Sequence, residues 1–254
     1  GEGAHVSPTL LKITLFACLS GFLFGYDLGV IGGALLDMRD DLHLGRAGQE
    51  FIVGASKVGA VFGTFIGGVL MLTYGRRAAV SIDSVFFMLG PVLMAAAPSA
   101  GVVVLGRLVV GLGIGASVVV VPTYLGEMAP AANRGAMVAL YELAACLGML
   151  AAALMDYMLS GVMYSWRWMV GLPALPGAVL AGAMVFLPES PRWLATQGRL
   201  DEALAVLHKV STGTEYREGS AQSTAQVEEE LLHLWSAVEK DGEARRLRWA
   251  GGAP

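Results

Sequence analysis

Asp27, Lys57, Asp83, Arg107, Glu142 and Asp156 are ionisable residues set inside long apolar runs of this chain. A charge in mid-bilayer costs about 2.5–3.5 kcal/mol on insertion scales, so such a residue is normally paired or functional. Asp27 and Arg107 are the obvious partners of opposite sign. A carboxylate beside a guanidinium keeps its charge, whereas the same carboxyl moved into apolar surroundings takes up a proton. A proton-coupled carrier needs an acid whose proton affinity depends on conformation in this way. The same pair held rigidly would only orient two helices, and the residue types do not choose between these readings. Lys57, Asp83 and Asp156 fall nearer the ends of their runs, where a side chain can snorkel to the interface, and they are assigned no chemistry. Enzymatic chemistry has little to stand on. His5, His43, His208 and His233 all lie outside the runs, and there is no metal-ligand or Ser/His cluster, so neither a metal nor a cofactor is expected.

The elements that must position these groups follow from composition. Of 254 residues, 55% are hydrophobic and only 15% charged, and half of the charged residues fall in 188–254. A soluble domain is about a quarter charged throughout, so residues 1–187 read as a membrane bundle and 188–254 as a water-exposed segment. A bilayer core needs about 20 apolar residues per helix. Six spans answer to this: Leu11–Leu36, Phe51–Leu72, Ala78–Ala97, Val102–Leu125, Gly135–Leu159 and Trp166–Leu187. A net charge of -4 without a basic stripe excludes nucleic acid as a partner. Cys18 and Cys146 lie within apolar runs and make no disulfide framework.

An even number of spans puts both ends of the bundle on one side. Lys12, Arg76, Arg77, Arg134, Arg192 and Arg199 would lie there, against Arg39, Arg46 and Arg167 opposite. This bias places both termini in the cytoplasm or its topological equivalent. Trp166 and Trp168 then open the last span as an outer aromatic belt. Glycine recurs every four residues at Gly21, Gly25, Gly29 and Gly33, and again at Gly59, Gly63 and Gly67, with Gly111 and Gly115 on the fourth span. Such stripes let helices approach closely in lipid. Asp27 lies about 200° around the helix from Gly25 and Gly29, so it faces away from the stripe. After Pro188 and Pro191, an amphipathic helix is expected over Leu200–Val210, a loose stretch over Ser211–Ser223 and a second amphipathic helix over Thr224–Lys240.

Several stretches together resemble the amino-terminal half of the sugar porter branch of the major facilitator superfamily. They are Gly-Phe-Leu-Phe-Gly-Tyr-Asp at 21–27, Gly75-Arg76-Arg77, Gly106-Arg107, the run from Pro122 through Glu127 to Pro130, Arg134-Gly135, and Pro188-Glu189-Ser190-Pro191-Arg192. The resemblance covers about residues 10–240. It implies an all-α membrane protein: six transmembrane helices as a 3+3 inverted repeat, followed by short cytoplasmic amphipathic helices. It implies that Asp27 is the proton site and Arg107 its partner, an acid that facilitative members lack. It implies that Phe24, Glu142 and Met149 line the substrate site, and that Arg76, Arg77, Glu127, Arg134, Glu189 and Arg192 form a cytoplasmic gate.

The function implied is proton-coupled transport of a sugar or polyol, with membrane lipid around the bundle and a second six-helix half, or other membrane subunits, as partner. Some positions depart from the pattern. Leu72 and Thr73 replace an Asp-Arg pair, removing an acid that would cap a helix and brace the arginines. Glu142 and Met149 stand where the family has Gln, exchanging a donor–acceptor amide for an acceptor-only carboxylate and a thioether. These departures motivate the alternative, a degenerate, non-transporting half retained as a structural subunit of a larger membrane complex.

Overall fold

The computed structural model describes residues 7–130, 133–159 and 161–211, together with Leu232 and Ser236. Among them all regular structure is helical: α1 (Pro8–Asp41), α2 (Arg46–Thr73), α3 (Arg76–Ala95), α4 (Ala100–Met128), α5 (Arg134–Leu159), α6 (Ser165–Gly171), α7 (Ala174–Met184), α8 (Pro191–Thr196) and α9 (Leu200–Ser211). Local chemistry sets several boundaries. Ser7 caps α1 by accepting from the Leu10 amide at 3.1 Å, and Pro8 occupies the first turn, where its missing N–H costs nothing. Ser190 and Pro191 open α8 in the same way, with the Ser190 hydroxyl accepting from the Trp193 amide.

Helices α1 to α5 are each long and apolar enough to cross a membrane. The sixth expected span differs from a single rod: it is built as α6 and α7, interrupted at Leu172–Pro173. Pro173 and Pro176 cannot donate to the helix ladder, which breaks it there. Both residues at the break keep right-handed helical angles, with Leu172 at φ -54, ψ -39 and Pro173 at φ -60, ψ -16. The chain therefore keeps its course, and residues 165–184 rise about 30 Å, the thickness of the hydrocarbon core. Leu187 and Ser7 lie at one end of the bundle, the terminal end. The loops after α1, α3 and α5 lie at the other, the distal end.

The glycine stripes decide which helices touch. Gly21, Gly25 and Gly29 of α1 lie on α5: an added Cβ would run into the Tyr141 and Ala145 carbonyls and, at 2.9 Å, the Met149 carbonyl. Gly59 and Gly63 of α2 lie on the Leu108 and Leu112 carbonyls of α4, while Gly111 and Gly115 of α4 lie on the Ser56 and Ala60 carbonyls of α2. Exchanging the first three spans for the second three carries the α1–α5 contact into the α4–α2 contact, as a 3+3 repeat requires. The ends repeat likewise, but inverted. At the terminal end Arg77 donates to the carbonyls of Met184 (3.1 Å) and Val185 (2.5 Å), closing the end of α7. At the distal end Arg167 donates to the carbonyls of Ala95 (3.0 Å) and Ala97 (2.8 Å), closing the end of α3.

Arg167 also stacks over the Trp166 ring at 4.4 Å and approaches Asp41 of α1 at 3.6 Å. Trp166 corrects the aromatic-belt expectation: it is buried, and its indole N–H donates to Asp41 at 3.1 Å. Only Trp168 is exposed as a belt residue would be. Helix α9 matches the expected amphipathic segment, burying Ala203, Val206, Leu207 and Val210. Of the loose stretch over 211–223 and the helix over 224–240, all but Ser211, Leu232 and Ser236 lie outside the described residues; those three are helical.

Close approach rather than glycine content stabilises the bundle. Gly25→Ala, which drives a methyl into the Ala145 backbone, is expected to destabilise by about 1–3 kcal/mol. Gly32→Ala meets nothing within 4 Å and should leave thermal unfolding in detergent unchanged. Equal unfolding midpoints for the two variants would contradict this packing.

Candidate functional site

Three helices meet at the buried ion pair. Asp27 of α1 accepts from Arg107 of α4, Nη1 to Oδ1 at 2.5 Å, and Arg107 Nη2 donates to the Ser56 hydroxyl of α2 at 2.9 Å. Asp27 is 6% exposed and Arg107 2%. The α1 stripe faces α5, so Asp27, about half a turn away, is turned to α4. The α2–α4 stripe brings Ser56 within reach of the guanidinium. Asp27 Oδ2 and Arg107 Nε have no hydrogen-bond partner among the described residues. The site thus holds one carboxylate oxygen engaged by a cation and one to which a proton can be added. A second polar contact, Ser20 to Ser117 at 2.7 Å, joins α1 to α4 about two turns toward the terminal end.

Phe24 lies one turn before Asp27 and is half-buried against the core. Glu142 and Met149 are exposed on α5, seven residues apart and so on one face, with the exposed Cys146 between them. No ion pair joins Glu142 to Arg107 among the described residues: the pair and the α5 face are separate surfaces of the bundle.

The terminal end carries a compact charged cluster. Arg76 Nη2 meets Glu127 Oε1 of α4 at 2.7 Å, with both side chains largely buried. The other Glu127 oxygen accepts from the Ser190 hydroxyl at 2.5 Å. Glu189 Oε1 accepts from the backbone amides of Arg76 (2.8 Å), Arg77 (3.1 Å) and Ser190 (2.8 Å). The Tyr124 hydroxyl donates to the Pro188 carbonyl at 2.6 Å and the Trp193 indole to the Leu72 carbonyl at 3.2 Å. This corrects the expectation that Leu72 and Thr73 leave α3 uncapped and the arginines unbraced. Glu189, distant in sequence, takes the first two amides of α3, where a negative charge is favoured, and Glu127 braces Arg76. Gly75 permits this with φ +94, and a Cβ there would collide with the Glu189 carboxylate.

Of the other gate residues, Arg134 is exposed at the start of α5 and makes no ion pair among the described residues, so the structure does not bring it into the cluster. Arg192 is exposed on α8, beside the cluster in sequence. Asp83 corrects another expectation. It does not snorkel but is fully buried between α3 and α4. Asp156 is half-buried, with its carboxyl against Gly33 of α1, and Lys57 is exposed. Sequence reasoning gave no role to Ser56, nor to Tyr124 and Ser190 within the quoted motifs, because a hydroxyl carries no signal of the distant group it will meet.

The chain matches the family described as "Sugar (and other) transporter" over residues 13–250. It is 38% identical over 234 residues to "Probable inositol transporter 2" of Arabidopsis thaliana, covering 91% of this chain and 40% of that protein. It is 34% identical over 256 residues to the galactose-proton symporter of Escherichia coli K12, covering 98% of this chain and 54% of that protein. The chain thus spans about half the length of such relatives. Its fold is similar to that of the proton:xylose symporter XylE bound to 6-bromo-6-deoxy-D-glucose, with a TM-score of 0.83 and 24% identity over 95% of this chain and 56% of that one. A partially occluded inward-open XylE from E. coli gives a TM-score of 0.74 at 27% identity, over 89% of this chain and 58% of that one. With six apolar crossings arranged as half of a major facilitator fold, and with these relatives, this multi-pass membrane chain belongs to the sugar transporter family, whose members are carriers and not enzymes.

Proposed function

We propose that this chain is the amino-terminal half of a carrier that moves a sugar or polyol across a membrane together with a proton. The observation that carries this reading is the Asp27–Arg107 pair, buried where three helices meet, with one Asp27 oxygen lacking a hydrogen-bond partner among the described residues. A proton added at Oδ2 cancels the charge that draws Arg107 to α1. The guanidinium then keeps only its Ser56 contact, and α1 is released relative to α2 and α4. Proton occupancy is thereby tied to helix position, and the galactose-proton symporter among the relatives supports the coupling.

Phe24, Glu142 and Met149 line the substrate path in this reading. Phe24 offers an apolar ring face, Glu142 accepts hydroxyl hydrogens, and Met149 supplies a soft apolar wall. An exposed carboxylate on a spanning helix is costly against lipid, so the α5 face around Glu142 borders water. Helices α2 and α5 are the least covered spans, 28% and 33% buried. Phe51, Phe62 and Phe65 of α2 and Leu143, Leu147 and Leu150 of α5 are exposed there. A second six-helix half covers these faces, and the greater length of the relatives supports such a partner.

The terminal end faces the cytoplasm, as its excess of Lys and Arg directs, with residues 188–254 as an intracellular helical segment. The Arg76, Arg77, Glu127 and Glu189 cluster, together with Arg134 and Arg192, gates that side. The Arg76–Glu127 pair and the bonds of Glu189 and Arg77 to backbone groups break together when the inner side opens. A non-transporting structural subunit is the second reading, favoured by Glu142 and Met149 where the family has amides.

In proteoliposomes holding the whole protein, uptake of a labelled hexose or cyclitol should rise as the outer pH is lowered below the inner pH. Asp27→Asn should abolish proton-driven accumulation while sparing exchange of substrate between equal concentrations. An unchanged accumulation in Asp27→Asn defeats the coupling assignment, and no exchange by the wild type favours the structural subunit. For the gate, Glu189→Ala removes a helix cap worth about 1 kcal/mol and should lower the unfolding midpoint, while Arg134→Ala, outside the cluster, should not.

A further inference from the structure

Helix α3 carries an acid that transport by Asp27 does not use. Asp83 is 0% exposed, and neither of its carboxyl oxygens has a hydrogen-bond partner among the described residues. It lies seven residues, about 10 Å, along α3 from Arg76, and packs on the glycine-lined side of α4. A Cβ added at Gly113 would come within 3.3 Å of Asp83 Oδ1, 3.2 Å of Phe86 and 3.5 Å of Phe87. The carboxyl thus lies against the Gly113 backbone of α4, a position the Phe87 ring edge also borders.

The charged groups around it are all engaged or turned elsewhere. On α4, Arg107 is bound to Asp27 and Ser56, and Glu127 is bound to Arg76. At the start of α3, Arg77 is spent on the Met184 and Val185 carbonyls. At the far end of α3, Arg167 of α6 is spent on the Ala95 and Ala97 carbonyls. Helix α7 contains no charged residue. On α2, Lys57 is exposed, and on α9, Glu202 and Lys209 border a groove with Arg77 and Ser81, away from the Asp83 side of α3. From α5, the buried Tyr141 hydroxyl has no hydrogen-bond partner among the described residues. No cation among the described residues pairs with an ionised Asp83, and a buried carboxylate without a partner neutralises itself by taking a proton.

We propose that Asp83 is a second proton-binding site of this bundle, loaded in this conformation and separate from the Asp27–Arg107 pair. The neutral acid fits the close α3–α4 contact, whereas the ionised form does not. Removing that proton leaves a bare charge inside the contact, so the stability the neutral acid contributes is present at low pH and lost in alkali. The α3–α4 contact consequently loosens in alkali when Asp83 gives up its proton to water. This holds whether or not the protein transports.

The test is infrared spectroscopy of the whole protein in lipid at neutral pH, with the alkaline limit of thermal stability measured alongside. The wild type should show a protonated-carboxyl C=O stretch that Asp83→Asn removes and Asp27→Asn retains. Asp83→Asn should also resist alkaline unfolding better than the wild type. Should Asp83→Asn fold poorly because its amide finds no partner, the smaller, apolar Asp83→Ala gives the same two readouts. A C=O stretch identical in the wild type and the folded Asp83 variant, or an unshifted alkaline limit, overturns the proposal. Failure of transport alone leaves both readouts in place, and so bears only on the carrier reading.

Discussion

A single buried ion pair sets the terms for the rest of this bundle. Asp27 and Arg107 are costly to place away from water, and an ion pair of this kind is tolerated only when its geometry is close and further hydrogen bonds satisfy the guanidinium. Truncating one partner of such a pair typically costs about 3–5 kcal/mol, because the other is left uncompensated. The fold meets the demand by bringing three helices to one point. Close approach of α2 to α4 puts Ser56 on the guanidinium, and close approach of α1 to α5 turns Asp27 toward α4. The glycines do not touch the pair, yet without them the helices stand too far apart for a 2.5 Å contact.

The two ends of the bundle solve a common problem by the same means. Each span leaves carbonyls without helical partners at its end, and in each half-repeat an arginine from the first turn of its third span supplies the donors to a helix of the other half-repeat. Arg77 does so for α7 and Arg167 for α3. An acid at the end of a long helix completes each cluster, Glu127 on α4 at one end and Asp41 on α1 at the other. The result ties α1, α3 and α6 together distally, and α3, α4 and α7 together terminally.

Three carboxyl groups show how environment divides the work among like side chains. Asp27 is buried and paired, so its charge depends on where Arg107 stands. Asp83 is buried against the Gly113 backbone, with no cation partner among the described residues. Glu142 is exposed on a sparsely covered helix, so it meets whatever fills the space beside α5. The chemical type is nearly the same in all three. Desolvation and the nearest opposite charge set the three apart: one is buried and paired, one buried and unpaired among the described residues, one exposed.

The membrane spans, the direction of the glycine stripes and the pairing of Asp27 with Arg107 were legible in the sequence. All three follow from local rules: apolar length, a four-residue period on a 3.6-residue helix, and the high cost of an unpaired charge in oil. The identity of the α3 cap was not legible. Leu72 and Thr73 read as a missing brace, yet Glu189, more than a hundred residues away in the chain, occupies the place. Asp83 was misread for a related reason. Distance from a span end says how far a side chain would have to reach, but the packing of α4 against α3 decides whether any path to water is open. Trp166 and Trp168, two residues apart, likewise look alike in sequence and separate into core and surface once Asp41 claims one indole. Sequence determines what each segment can tolerate, since that depends on a residue and its near neighbours. Tertiary structure alone decides which distant group satisfies it, because burial and hydrogen bonding are properties of the neighbours that packing brings together.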